Sequence, residues 1–274
     1  MPKIDETQDT TLSKSHLIVK KVKPIITIPK YHWVSDKIDK RDHQYALSGV
    51  SQPNTVDLRQ YCTPIENQGN LGSCTGQAIA GAIELLVKRN GKVSDISRLF
   101  IYYYERLIEG TVNYDNGAYI RDGIKACYTY GAPVESLWPY IISKFRSKPT
   151  TAAITDAAKR KITSYQSAAN FNAVIDAVAS GYSVIIGFLV YSSFESNTVT
   201  RTGRMPYPNT KKERLLGGHA VTIVGYNKTN STFIVRNSWG TNWGDRGYFY
   251  MPFQVIQNAA MSNDFWIIKS VSNP

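Results

Sequence analysis

The chain has 274 residues, of which 42% are hydrophobic and 19% are charged, and its formal net charge is +11. This composition excludes a disordered or fibrous protein, and no run approaches the ~20 apolar residues that a membrane-spanning helix requires. The positive charge is spread along the chain and lacks an aromatic-basic motif. We therefore interpret it as a solvated basic surface that requires no nucleic-acid partner.

Residues 1–54 differ from the rest and are interpreted as an N-terminal extension. The first residues are polar and lack the apolar stretch of a secretory signal, so we expect a cytoplasmic protein unless another export route operates. Pro24 and Pro29 argue against a helix, and the passage from Ser48 to Asn54 is typical of a linker. The extension is too short and polar for a core of its own, which leaves it either disordered or docked on the body.

The body is predicted to cover residues 55–274, and its first helix begins at Cys74. Apolar residues recur there at helical spacing, Ser73 is a suitable N-cap, and Asn90-Gly91 is a suitable stop. Further helices are predicted at about 97–110, 119–130, 152–161 and 171–179.

From Tyr182 onward the apolar pattern changes to that of strands. Short runs rich in β-branched and aromatic residues predict strands at 183–190, 219–226, 232–236, 247–251 and 265–271. Helices followed by strands indicate an α+β protein with two lobes, a helical one at about 60–165 and a β-rich one at about 166–274. The cleft between the lobes is the expected place for a functional site.

The three cysteines are too few and odd in number for a disulfide framework. Cys62 and Cys127 could pair, but two reduced buried thiols are favoured. No Cys-x-x-Cys or Cys/His cluster has the spacing of metal ligands, so neither a metal nor another cofactor is predicted.

Cys74 is the candidate nucleophile. A thiol needs a base to become a useful nucleophile, and the base needs a partner that orients it. A helix that begins at the cysteine favours its thiolate. Gln68 lies six residues earlier and can donate to an oxyanion.

His219 and Asn237 are the candidate base and orienting amide. His219 follows two glycines, and His16, His32 and His43 all lie in the N-terminal extension. A body with a Cys–His pair must therefore use His219. Asn237 lies in an Arg-Asn-Ser-Trp-Gly sequence and is predicted, like His219, on a strand of the second lobe.

These motifs resemble those of the papain-like cysteine peptidases over roughly residues 55–271. His219 lies 145 residues and Asn237 163 residues after Cys74, close to the ~130–150 typical of the family. The resemblance implies the papain-like two-lobe fold and a cysteine endopeptidase acting on polypeptides, in which Gln68 contributes to the oxyanion hole. Trp239 then resembles the tryptophan that covers the His–Asn hydrogen bond, and Trp243 the one beside the leaving-group side of the cleft.

The resemblance also implies substrate-binding residues. A segment that pairs its backbone with an extended substrate corresponds here to Asn116, Gly117 and Ala118. Tyr119 and Gly218 are expected near the pocket beside the catalytic histidine, although Tyr119 could equally be a core aromatic. Ser73, beside the nucleophile, completes the predicted set. The glycines next to His219 predict an open pocket without a selecting charge.

The sequence departs from the family pattern at a disulfide bridge. The two positions of that bridge are occupied by Leu71 and Asp115, and the aromatic residue after the nucleophile is replaced by Thr75. Both halves of the bridge are absent together, which the resemblance assigns to a disulfide-poor bacterial or viral branch. No catalytic group is lost.

The run Trp33-Val34-Ser35-Asp36 resembles a segment that precedes the catalytic domain in bacterial members. We expect the N-terminal extension to be propeptide-like, with part of it near the cleft as an intramolecular cover, or else to be an unstructured leader. Two other classes compete with a peptidase: a catalytically silent binding protein on the same fold, and an acyltransferase of the transglutaminase type. The complete set of catalytic residues argues against the first, and the Gln68 and Trp239 motifs argue against the second.

Overall fold

The computed structural model describes residues 31–272. Pro24 and Pro29, and the prediction that they exclude a helix, lie outside this range.

Three helices form one side of the molecule: α1 (Cys74–Arg89), α2 (Arg98–Glu109) and α3 (Ile120–Thr129). Their bounds agree with the predicted ones to within one or two residues. α1 is buried along nearly its whole length because it packs against α2 and α3 on one side and against a β-sheet on the other. The Thr222 hydroxyl, from the sheet, donates to the Ala78 carbonyl at 3.0 Å and ties the first turns of α1 to the sheet.

The ends of these helices follow from local chemistry. The Ser97 hydroxyl accepts a hydrogen bond from the Phe100 amide and caps α2, and Gly110 ends that helix with φ +73°. Ser73 precedes α1 as predicted, but its side chain makes no capping bond. It pairs with the Tyr140 hydroxyl at 2.5 Å instead, so Ser73 occupies the predicted N-cap position but does not cap α1 through its side chain.

The described range has four shorter α-helices, α4 (Thr151–Ala157), α5 (Phe171–Ala179), α6 (Asn197–Thr202) and α7 (Phe253–Gln257), and four single-turn 3-10 helices. α5 has the predicted bounds. α4 ends before the predicted residue 161 because the chain enters a strand at Ile162. α6 and α7 were outside the sequence prediction because six and five residues are too few to establish a helical period.

The strands are β1 (Thr55–Asp57), β2 (Ile162–Ser167), β3 (Val184–Tyr191), β4 (Leu215–Asn227), β5 (Thr232–Arg236), β6 (Tyr248–Pro252) and β7 (Ser262–Val271). They form an antiparallel sheet in the order β2-β7-β3-β4-β5-β6, with β1 paired to the end of β4. β1 and β2 are additions to the predicted set, since β1 has three residues and β2 is largely polar.

The α+β class predicted from the sequence is confirmed by this architecture. The proposed lobe and domain boundaries stay predictions. β2 spans the predicted lobe boundary near residue 165 and pairs with β7. Because α1 lies directly against β4, the start of the helix and the middle of the strand become neighbours.

Residues 31–48, called the strap below, lie on the body. The Trp33 amide donates to the Gly218 carbonyl at 2.9 Å. Further along, the Tyr45 amide donates to the Ser167 carbonyl at 2.8 Å, and the buried Tyr45 hydroxyl donates to Asp176 at 2.8 Å. The sequence left the N-terminal extension either disordered or docked on the body, and residues 31–48 are docked.

Candidate active site

Cys74 is the first residue of α1, and its loop is held by hydrogen bonds. The Gly72 amide donates to Asp115 Oδ1 at 2.9 Å, and the Tyr102 hydroxyl donates to the same oxygen at 2.6 Å. Leu71 is buried in the helical core. At the positions where the family has a disulfide, the loop is therefore fixed by a shared carboxylate. Cys62, Cys74 and Cys127 are all free thiols, as favoured from the sequence.

The thiol of Cys74 is fully buried. Burial, and to a smaller extent the charge of Glu105, raise its pKa to about 11. Backbone hydrogen bonds from Ala220, His32 and Thr75 act in the opposite direction. The bond from Ala220 places the sulfur next to β4, one residue from His219. The bond from His32 means that the strap touches the sulfur.

His219 lies in the middle of β4, opposite Phe188 of β3, and is fully buried. Its Nε2 atom and Asn237 Oδ1 are 2.8 Å apart, and its ring stacks on Trp239 at 4.9 Å between centroids. Its Nδ1 atom has no hydrogen-bond partner among residues 31–272. Burial lowers the His219 pKa to about 4, while the bond to Asn237 opposes that shift. A ring fixed through Nε2 presents Nδ1 as the nitrogen that can exchange a proton.

Asn237 lies one residue beyond β5, not on a strand as predicted. Its backbone N–H donates to the Gly247 carbonyl at 3.0 Å. Its side-chain oxygen, which meets His219, also accepts from the Ser238 backbone N–H at 2.9 Å. Because two backbone contacts fix the residue, the oxygen that meets His219 has one orientation.

Gln68 is buried beside this pair. Its Oε1 accepts from the Ser238 hydroxyl at 2.6 Å, and its Nε2 donates to the Leu71 carbonyl at 3.0 Å. A primary amide carries two N–H donors, so one remains for another acceptor. The contact with Ser238 also connects the cysteine loop to the segment that holds Asn237.

The predicted substrate-binding residues occupy different settings. Ser73 is buried against Tyr140, whereas Asn116 is exposed and Ala118 is buried. Tyr119 is half-buried, and its amide donates to Glu109. Trp239 and Trp243 pack edge to face at 4.9 Å between ring centroids. Gly117 and Gly218 both contact the strap.

The strap crosses the site over these two glycines. A Cβ atom on Gly117 would lie 1.9 Å from the His32 carbonyl oxygen, and Gly117 has φ +73°, so only glycine fits there. Tyr31 packs edge-on against His219 and Trp239, at 6.1 and 5.8 Å between ring centroids. The histidine and the thiol are thus both covered by residues of the strap.

The Trp33 side chain enters a pocket beside His219. Its Nε1 donates to Asp264 Oδ2 at 3.0 Å, and the Asp36 amide donates to the same oxygen at 2.8 Å. The glycines next to His219 predicted a pocket without a charge. That prediction is wrong, because it considered only the glycines around His219 and not Asp264, which lies 45 residues further along the chain.

Several residues of the site carried no sequence signal of their role. His32 and Asp264 reach the site from distant parts of the chain, and Tyr140 bonds both Ser73 and the Gln68 carbonyl. Glu105 is buried on α2 and accepts the Thr75 hydroxyl at 2.5 Å. One available signal was the apolar Trp33 in a polar extension, since an isolated tryptophan usually needs a partner surface.

Within residues 31–272, no three His, Cys, Asp or Glu side chains are grouped as metal ligands. No helix in this range is long and apolar enough to cross a membrane.

Comparison with known proteins gives consistent matches. The family described as papain family cysteine protease matches residues 52–268. A peptidase C1-like protein of Acanthamoeba polyphaga mimivirus is 37% identical over 89% of this chain and 88% of the viral protein. The motif around Cys74 by itself suggests xylellain as a relative. The crystal structure of xylellain, a cysteine protease from Xylella fastidiosa, is 38% identical, with a TM-score of 0.83 over 91% of this chain and 99% of xylellain.

A third match concerns the fold alone. Digestive procathepsin L2 of Tenebrio molitor is 22% identical, with a TM-score of 0.66 over 88% of this chain and 80% of the procathepsin.

Proposed function

The chain belongs to the papain family of cysteine proteases, and from that premise we propose that it is an endopeptidase with Cys74 as nucleophile. His219 is its acid and base, Asn237 orients the imidazole, and Gln68 stabilises the oxyanion. The observation that carries the proposal is the 2.8 Å contact between His219 Nε2 and Asn237 Oδ1, which leaves Nδ1 as the proton-transferring nitrogen.

The reaction follows from these positions. Cys74 transfers its proton to His219 Nδ1, and the thiolate attacks the carbonyl carbon of a peptide bond. The imidazolium gives that proton to the departing amine, and a thioester with Cys74 remains. His219 then takes a proton from water, and the hydroxide attacks the thioester. The acid is released, and the proton returns to Cys74.

The developing oxyanion needs donors that are already in place. The Cys74 amide at the start of α1 is one donor, because the first amides of a helix have no partner within it. The remaining N–H of the Gln68 amide is the other. Its hydrogen bonds to Ser238 and Leu71 fix its orientation before substrate binds, which is the condition for electrostatic stabilisation of a transition state.

We further propose that the strap is an autoinhibitory cover, as in a zymogen. Its residues lie over the thiol and the imidazole, where a substrate must bind. The closed site also disfavours activation, because burial raises the pKa of Cys74 to about 11 and lowers that of His219 to about 4. Both shifts favour the neutral thiol and the neutral imidazole over the reactive ion pair.

Polypeptides are the proposed substrates, and the strap is the proposed intramolecular partner. Neither competing class has an observation in its favour. A silent binding protein has no use for an oriented imidazole. An acyltransferase would transfer the acyl group to an amine rather than to water, and product analysis distinguishes the two.

The test uses the full chain with an epoxide inhibitor of papain-like enzymes and a fluorogenic peptide. We expect the inhibitor to label Cys74 alone and Cys74→Ala to abolish both labelling and hydrolysis. Cys127→Ala is the matched control, since that thiol is also fully buried, and it should retain hydrolysis. Label on another residue, or hydrolysis that survives Cys74→Ala, would refute the assignment.

A further inference from the structure

The hydroxyl of Tyr140 bridges the two ends of the loop that carries both proposed oxyanion donors. It donates to the Gln68 carbonyl at 3.0 Å. Because that bond uses its only proton, the hydroxyl accepts from Ser73 Oγ in the 2.5 Å contact between them. Residues 68 and 73 are the ends of the loop, and Cys74 follows directly. One oxygen atom from a distant part of the chain therefore holds both ends together.

The hydroxyl of Tyr140 is itself well anchored. The backbone N–H of Tyr140 donates to the Glu135 carboxylate, and two residues earlier the Trp138 carbonyl accepts from the Ser97 hydroxyl at 2.6 Å. Burial raises the pKa of Tyr140, and the charge of Cys74 acts in the same direction. The phenol thus keeps its proton and lies within electrostatic reach of the nucleophile.

The position of this bridge matters because the two oxyanion donors lie at opposite ends of the loop. The Gln68 side chain is at one end, and the Cys74 backbone N–H is just beyond the other. Both must meet the same oxygen, at ~2.7–3.1 Å from the position that it takes in the transition state. A shift of either end by about 1 Å can reduce a rate by ~10²-fold. The spacing of the two ends is therefore a catalytic requirement.

We propose that Tyr140 is a positioning residue that sets the geometry of the oxyanion hole by bridging Gln68 and Ser73. It contributes no atom to the reaction and acts only through the loop. His219 is oriented separately by Asn237, so the nucleophile should keep its reactivity when the Tyr140 hydroxyl is removed. This inference rests on the proposed peptidase function and adds a residue to its site.

The experiment compares two reactions of Cys74 in the full chain carrying Tyr140→Phe, which removes the hydroxyl and keeps the ring. Hydrolysis of a fluorogenic peptide passes through an oxyanion. Alkylation by iodoacetamide does not, because the thiolate forms a C–S bond at a saturated carbon as iodide leaves. We expect kcat to fall by about tenfold or more with KM little changed, while the alkylation rate changes by less than about twofold.

The ratio of kcat/KM to the alkylation rate is the decisive quantity. Both reactions need the strap to move away, so the ratio cancels any change in how often the site opens. Tyr226→Phe is the matched control, since Tyr226 is buried and its hydroxyl has no hydrogen-bond partner among residues 31–272. It should leave the ratio unchanged. Ser73→Ala removes one of the two bonds and should lower the ratio less, and it provides the same test if Tyr140→Phe does not fold.

Two outcomes would overturn the inference. One is a ratio in Tyr140→Phe equal to that of the wild type with both rates unchanged, which would show that the bridge does not affect the oxyanion hole. The other is an equal fall of both rates, which would show that the hydroxyl supports the nucleophile or the fold instead. Both differ from failure of the proposed function, in which the wild type itself cleaves no peptide in a Cys74-dependent way.

Discussion

Strand β4 and the strap lie side by side at Gly218, but they are held in place differently. β4 is bonded along its length to β3 and then β1 on one side, and its C-terminal half is bonded to β5 on the other. The strap pairs its backbone with the body through isolated bridges, His32 with Gly218 and Gln44 with Ser167. Its remaining anchors are mainly side-chain contacts to Asp264, Arg121 and Asp176.

This difference suggests how one chain can carry both a fixed site and a removable cover. Releasing the strap breaks a few local contacts, whereas moving His219 requires disruption of a central sheet. Local opening costs less free energy than global unfolding when few backbone bonds are involved. Substitutions in the two regions should therefore have opposite effects on activity.

The largest effect is expected from Trp33→Ala in the strap. The indole fills the pocket beside His219 and donates to Asp264, so its loss should shift the strap toward the open state. We expect kcat/KM to rise by about tenfold or more, because truncating a buried tryptophan typically costs ~3–5 kcal/mol. Peptide hydrolysis and the rate of Cys74 alkylation are the measurements.

The matched control for Trp33→Ala is Ile38→Ala, since Ile38 also lies in the strap but is 98% exposed. It should leave kcat/KM unchanged. Equal kcat/KM values for the Trp33→Ala variant and the wild type would show that the strap does not limit substrate access.

The opposite effect is expected from Asp115→Ala in the body. Its carboxylate accepts from the Gly72 amide and the Tyr102 hydroxyl, and leaving these donors unsatisfied costs about 1–3 kcal/mol. We expect a lower Tm and a kcat/KM reduced several-fold, since the loop before Cys74 loses its anchor.

Tyr102→Phe is the graded control for Asp115→Ala, because it removes only one of the two donors. Its loss of stability in denaturant unfolding should be smaller. If Asp115→Ala raised activity as Trp33→Ala is expected to do, the contrast between the two regions would be wrong.

The smallest effect is expected from pH. The pKa of Asp264 in the covered state is about 7, raised mainly by burial and by the charge of Asp36. The group ordinarily titrates near ~4, so the covered state binds a proton more tightly than the open state does. Docking of the strap is therefore strongest below about pH 4 and weakens as pH rises through 7.

The measurement is the protection of the Trp33 indole N–H from solvent exchange, followed by NMR between pH 5 and 8 and corrected for intrinsic exchange. Protection should fall several-fold as pH rises, and Asp264→Asn should remove most of this dependence because its side chain does not ionise. Arg121, whose charge lowers the pKa of Asp264, stays cationic throughout this range. Protection that increases with pH would contradict the assignment.

The parts of the site that could be predicted from the sequence are those with local signals. α1 carries a helical period and a clear stop, so its position follows from residues 73–91 alone. His219 was recognisable because the other histidines lie in the N-terminal extension, and Asn237 because its flanking residues form a distinctive motif. Their roles as catalytic residues remain predictions.

The parts that could not be predicted depend on distant contacts. Trp33 and Asp264 are 231 residues apart, and neither carries a local pattern that indicates the other. In the sequence, Gly187 is a residue that weakens a strand. Its role becomes clear only in the structure, where a Cβ atom at this position would lie 1.9 Å from the Trp33 indole. For the same reason the sequence assigned the strap only as disordered or docked, since its composition is equally compatible with both.

The connection between the strap and the body has a consequence for regulation. Residues 49–54 are all exposed and join the strap to β1. A short covalent tether gives an attached ligand an effective concentration on the order of millimolar, so even a weakly binding segment can occupy the cleft. One cut within the tether would turn the strap into a separate peptide at the concentration of the protein itself, and dilution would then make its departure permanent.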